Sequence, residues 1–181
     1  MGFGVPGGRS GAALGPISGG LDLAGGHAPI RIHLLAIGKM RPGPLRELQA
    51  LYTRRLNPPA AIVELEDRRR LPAELLKARE AELILNALPV GARLVALDRS
   101  GAAWSSRDLA DALASWRDAG VPAAAFAIGG AEGLGSAVVA RAATVLSLGA
   151  MTWPHLLVRP MLLEQLYRAQ QILAGHPYHR E

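Results

Sequence analysis

Ala123-Ala124-Ala125-Phe126-Ala127-Ile128-Gly129-Gly130-Ala131-Glu132-Gly133-Leu134 reads as an unbroken apolar strand that stops on glycines. A strand without polar alternation is buried on both faces, the condition of an inner strand in a parallel sheet covered by helices. The glycines let a ligand approach the backbone and leave amides free to bind it. A tight strand-to-helix turn has the same composition, so this stretch alone supports both readings.

Upstream, Ile30 to Ile37 predicts a strand ending at Gly38, and Pro44 to Leu56 a helix with Leu45, Leu48, Leu51, Tyr52 and Leu56 on one face. Ala61 to Leu65 is a second strand. Pro72 to Leu88 follows as a helix offering Leu75, Leu76, Ala78, Leu83 and Leu85 for burial. Arg93 to Leu97 is a third strand closing at Asp98. Ser105 caps a helix to about Asp118, with Asp108 in its first turn. Downstream come a short helix from Ser136 to Ala142, a fifth strand from Thr144 to Leu148 and a last helix from Pro160 to Leu173. Its buried stripe is Leu162, Leu166, Ala169 and Leu173. This alternation predicts an α/β fold, a mostly parallel sheet flanked by helices. Ligands of such sheets sit beyond the carboxyl ends of the strands.

Composition bounds the rest. The 181 residues suit one domain, and half of them are apolar. Residues 1–28 hold ten of the 21 glycines and no sustained hydrophobic pattern, which predicts a flexible extension before a domain spanning 29–181. That leader lacks the apolar core of a secretory signal, and no stretch is long and apolar enough for a membrane span; a cytoplasmic, membrane-free protein is expected. Without cysteine there are no disulfides, thiolate metal sites or sulfur nucleophile. A net charge of +5, carried almost wholly by arginine beside only Lys39 and Lys77, favours phosphate-bearing partners. A solvated basic surface is the competing explanation. Eight scattered aromatics are too few for a base-stacking platform.

Three strand ends carry chemistry: Leu97-Asp98-Arg99-Ser100-Gly101, the glycine turn at 129–134, and Leu148-Gly149-Ala150-Met151-Thr152-Trp153-Pro154-His155. The spacing is not G-x-G-x-x-G, and no lysine follows the last glycine as in a P-loop. The small and apolar residues between Gly149 and Pro154 suit an adenine ring read by backbone groups. His155 is either a hydrogen-bonded structural histidine or a catalyst. Glu164 and Arg168 stand at i and i+4 and can pair. The chain closes on His176-Pro177-Tyr178-His179-Arg180-Glu181, reactive side chains where ends usually fray, which implies an active site or a partner subunit to hold them.

In order and spacing, Ile128 to Leu134, Leu148 to His155, Leu157-Val158-Arg159, Glu164 to Ala169 and the terminal His-Pro-Tyr-His-Arg-Glu closely resemble the ribosomal RNA large subunit pseudouridine N3-methyltransferases, a family of the SPOUT class. The likeness runs from Ile30 to Glu181. It implies a C-terminal trefoil knot, a homodimer, S-adenosylmethionine as methyl donor with no metal, and 23S ribosomal RNA in the ribosome as partner. Carried over by position, Leu97, Gly130, Gly149, Ala150, Met151, Thr152, Trp153 and Pro154 would bind the cofactor. His155, Arg168, Tyr178, His179 and Arg180 would serve catalysis, without one base singled out. Ala131 replaces a proline common in relatives, and Pro160 is expected to open the last helix, where its ring is tolerated. Two other classes stay open: a SPOUT enzyme methylating transfer RNA ribose, and a non-catalytic ribosome-binding factor. A nucleotide-binding oxidoreductase is disfavoured by the missing fingerprint.

Overall fold

The computed structural model describes residue 1 and residues 28–176. The rest of the glycine-rich leader, and Tyr178, His179 and Arg180, lie outside the described residues. In chain order the elements are β1 (Arg31–Ile37), α1 (Pro44–Arg55), β2 (Ala61–Leu65), α2 (Ala73–Asn86), β3 (Arg93–Ala103), α3 (Ser106–Asp118), β4 (Ala123–Ile128), α4 (Ser136–Arg141), β5 (Thr144–Ser147) and α5 (His155–Leu173). The strands form one sheet in the order β2-β1-β4-β3-β5, with every pairing parallel. Ala123 to Ile128 is buried throughout, as an inner strand between β1 and β3 must be.

Helices α1, α3 and α5 cover one face of the sheet, where Ile32, Leu34, Val95 and Phe126 meet Leu109, Leu113, Leu162 and Leu166. On the other face α2 and α4 bury Leu35, Leu94, Ala125 and Ala127 under Ala81, Ile84 and Val138. The side chains alternate between the two cores because successive strand residues point to opposite faces. The start of α3 and the end of α5 are closed by local chemistry. Ser105 Oγ accepts from Asp108 N at 3.1 Å while Ser105 N donates to Asp108 Oδ2 at 2.8 Å, the reciprocal capping expected. At the far end of α5, Gly175 takes φ +66°, and the amides of Gly175 and His176 donate back to Ile172 and Gln171. This left-handed glycine stops the helix and turns the chain away.

The structure revises several expectations. Helix α5 begins at His155, five residues before Pro160, which therefore lies inside it. The proline removes the donor that the Leu156 carbonyl would use. The helix continues because Arg159 and Leu162, Leu163 and Leu166 on either side are fully buried and fix its path. Strand β3 does not close at Asp98. Ser100 N and Oγ donate to Asp98 Oδ1 at 2.8 and 2.6 Å, forming a bulge after which Ala102 and Ala103 rejoin β5. In α2 the buried residues are Glu80, Ala81 and Ile84, whereas Leu75 is exposed. Leu48 and Leu51 of α1 are also exposed, at 39% and 36%. The apolar stripe of α1 is wider than the surface available to cover it.

Candidate active site

Register brings the three strand ends together. Leu97 stands beside Ile128 of β4 and Leu146 of β5, so Gly130 and Gly149 begin two and three residues beyond it on the same sheet edge. A Cβ added to Gly129 would lie 2.4 Å from the Gly133 carbonyl carbon, so only glycine lets this turn fold back on itself. At Gly130 a Cβ would stand 3.1 Å from Ile37 Cγ2 and 3.3 Å from both carboxylate oxygens of Glu80. Glu80 is buried, and its pKa is pushed up by that burial, with Asp67 and Glu132 adding like charge.

The loop after β5 is tied at its base and open at its tip. Gly149 takes φ +106°, Ser147 Oγ donates to the Gly149 carbonyl at 2.9 Å, and Trp153 Nε1 donates to the Leu148 carbonyl at 3.3 Å. Met151 is 70% exposed. Beside this base opens a cavity of about 490 Å³, walled by Tyr52, Trp104, Gly149, Met161, Glu164 and Gln165 among others. Of the expected cofactor residues Gly149 lines it; Leu97, Gly130 and Ala150 to Pro154 do not.

Arg168 and Glu164 do pair. Arg168 Nη2 and Nε donate to Glu164 Oε1 at 2.6 and 3.1 Å. The pair is part-buried rather than solvated, because Gln165 Nε2 holds the other Glu164 oxygen at 2.7 Å and Ser106 Oγ donates to Gln165 Oε1 at 2.6 Å. One chain of hydrogen bonds thus runs from the first turn of α3 to Arg168. His155 opens α5 at the end of β1, where a Cβ on Gly38 would lie 3.8 Å from its Nε2 and equally far from Arg159 Nη2. Burial, and then the positive charge of Arg159, lower the His155 pKa, so the ring is neutral at pH 7. Among the described residues no group of three or more His, Asp or Glu could hold a metal ion.

A family model described as "Predicted SPOUT methyltransferase" matches residues 30–179. A ribosomal RNA large subunit methyltransferase H from Paramagnetospirillum magneticum is 53% identical over 151 residues, covering 83% of this chain and 99% of that protein. The protein of that name from Rhodospirillum rubrum is 54% identical over the same span. The chain belongs to the ribosomal RNA large subunit methyltransferase H family, within the SPOUT methyltransferases. A crystal structure of a "Probable Methyltransferase" from Bordetella pertussis Tohama I adds a likeness of fold alone, with TM-score 0.50 at 13% identity over 77% of this chain and 96% of that one.

Within this SPOUT methyltransferase, sequence reasoning missed two groups. Arg159, the largest fully buried side chain, donates from Nη1 to Glu64 Oε1 at 3.0 Å and from Nη2 to the carbonyls of Ile37 and Gly38 at 2.7 and 2.8 Å. The signal was a lone carboxylate in the apolar strand Ala61-Ile62-Val63-Glu64-Leu65, which burial would force to find a cation. Ser106 and Gln165 left no such signal, since polar residues on helix surfaces are ordinary.

Proposed function

We propose that this methyltransferase moves a methyl group from S-adenosylmethionine to N3 of a pseudouridine in 23S ribosomal RNA. The observation that carries the reading is the convergence of Leu97, Gly130 and the Gly149 loop on one sheet edge, at positions matching the family's cofactor stretches. The surroundings fit such a donor. A Cβ on Gly149 would meet nothing within 4 Å, which leaves room for a ring against backbone, and the adjoining 490 Å³ cavity lined by Glu164 and Gln165 is of a size to take the acceptor base. Leu97, Gly130 and residues Gly149, Ala150, Met151, Thr152, Trp153 and Pro154 would hold it.

S-adenosylmethionine supplies an activated methyl carbon. The protein aligns acceptor nitrogen and methyl in line and keeps water out. The acceptor imide gives up its N3 proton before or as its nitrogen forms the new bond to carbon, while the bond from carbon to sulfur breaks. His155 would take that proton; Arg168, thirteen residues and about 20 Å farther along α5, would stabilise the imide anion from the other subunit, together with Arg180. Tyr178 and His179 complete the set from the C-terminal tail. We assign the active form to a homodimer whose tails reach into each other's clefts, built on a C-terminal knot and acting in the cytoplasm on RNA in the ribosome. Exposed Leu48 and Leu51 on α1 supply an apolar surface for the partner.

Mass spectrometry of 23S ribosomal RNA from a strain lacking the gene tests the assignment. One methylated pseudouridine should be replaced by its unmethylated form, and return when the gene is restored. An unchanged nucleoside profile would overturn it. Deleting residues 176–181 should abolish transfer while leaving the fold, since α5 and its glycine stop end before them.

A further inference from the structure

Residues 38–55 hold Lys39, Arg41, Arg46, Arg54 and Arg55 against the single acid Glu47. Lys39, Arg41 and Arg46 are exposed, and among the described residues no acidic side chain pairs with them. The backbone that carries them is unusually well fastened. Gly38 N donates to the Leu65 carbonyl at 2.7 Å, Met40 N donates to Glu64 Oε1 at 2.9 Å, and Met40 itself is 4% exposed. The same Glu64 oxygen receives Arg159, whose other terminal nitrogen grips the carbonyls of Ile37 and Gly38.

A buried ion pair recovers little net stability after both charges leave water, so its retention calls for another benefit. Here the benefit is geometric. Two charged side chains drawn from β2 and α5 fix Gly38 and Met40, the residues on either side of Lys39, and a surface fixed in advance loses less entropy when a partner docks. The site of docking is also apt. Gly38 borders His155, and β1 adjoins β4, so the fastened loop flanks the edge that carries the glycine turn.

We infer that the β1–α1 loop and the first turn of α1, presenting Lys39, Arg41 and Arg46 above the Arg159–Glu64 pair, dock the phosphate backbone of the substrate RNA. The inference rests on the proposed RNA substrate and names the surface that receives it. Arginine and lysine on a rigid support neutralise phosphates irrespective of base, which positions the strand while the cleft selects the nucleotide. Each neutralised phosphate releases counterions, so the contribution is readable in salt.

The test uses the full-length protein and ribosomes from a strain deleted for the gene. Lys39→Ala/Arg41→Ala/Arg46→Ala should raise KM for ribosomes about 30-fold and lower the slope of log affinity against log salt by about 2, the loss of three single-strand phosphate contacts. S-adenosylmethionine affinity measured by calorimetry should stay within about twofold, which also reports that the variant folds. Glu64→Gln should raise the ribosome KM about threefold with the salt slope unchanged, because it loosens the support and keeps the charges. An unaltered KM and slope in the triple variant overturns the inference, and so does an equal loss of cofactor affinity. Should the triple variant misfold, Arg41→Glu alone must raise KM or the inference falls. Wild-type protein that transfers no methyl to these ribosomes would overturn the proposed function, and this inference with it.

Discussion

Arg159 Nη1 lies 3.0 Å from Glu64 Oε1, joining residues 95 positions apart at the point where β1, β2 and α5 meet. The guanidinium is fully buried while the Glu64 side chain keeps 27% of its exposure. Burial pulls the Arg159 pKa down and the carboxylate opposes it. The two ends of the pair are therefore unequal. Arg159→Met should cost about 3–5 kcal/mol, since it strands a part-buried carboxylate and two carbonyls. Glu64→Gln should cost about 1–2 kcal/mol, because the amide oxygen can still accept. Urea denaturation would measure both, and equal losses would refute the asymmetry.

Gly129 offers a cleaner steric test. Ala at this position puts a methyl 2.4 Å from the Gly133 backbone, where no flexible side chain can yield. A loss of about 2–3 kcal/mol is expected, visible as a lower thermal midpoint. Gly130→Ala meets side-chain atoms at 3.1–3.3 Å that can shift, so its stability should change by less than about 1 kcal/mol. Reversal of that ranking would show that the turn is looser than its geometry.

The chain from Ser106 to Arg168 predicts an effect on turnover without one on cofactor binding. Gln165→Leu removes the donor at 2.7 Å that orients Glu164, and with it the aim of Arg168. The methyl transfer rate at saturation should fall about tenfold while S-adenosylmethionine affinity holds. Arg168→Lys, which cannot reproduce the paired Nε and Nη2 contacts, should lose about 100-fold. A larger loss in Gln165→Leu than in Arg168→Lys would reverse the proposed order of action.

Two histidines contribute to the loss of stability just below neutral pH. The pKa of His155 is lowered from 6.5 by burial and then by Arg159, and that of His33 by burial and then by Arg31. In each case the unfolded chain takes up a proton at a pH where the native state does not. Their stabilisation is full above pH 6.5 and is lost as pH falls below it. His155→Gln should flatten the decline in urea midpoint between about pH 7 and 5, and leave the share that His33 carries. An unchanged slope would mean that His155 titrates freely in the native protein.

Much of this molecule is legible in its sequence, for reasons that differ by element. β4 announced itself because six consecutive apolar residues have no other stable use, and Ser105 with Asp108 marked a helix start through chemistry confined to four residues. The early start of α5 was hidden because Pro160 has the signature of a first turn, and only the packing on both sides of it shows otherwise. Asp98 to Gly101 carry turn chemistry, and the return of the strand depends on β5, a partner whose first residue lies more than forty positions later. The candidate site was visible as three glycine-bearing strand ends, whereas the Arg159–Glu64 contact follows no local period and could be found only in space. Tyr178, His179 and Arg180 keep the standing that the family likeness gave them.

The strand order also governs when the chain can fold. β1 is made some ninety residues before its inner neighbour β4, and the core that buries Ile32 and Leu34 also needs Leu162, Leu163 and Leu166 of α5. Synthesis from the amino terminus cannot complete this sheet piecemeal. A methyltransferase of this topology would emerge as an unfinished sheet, sticky until α5 arrives, and its yield in the cell should depend on holding chaperones more than its finished stability suggests.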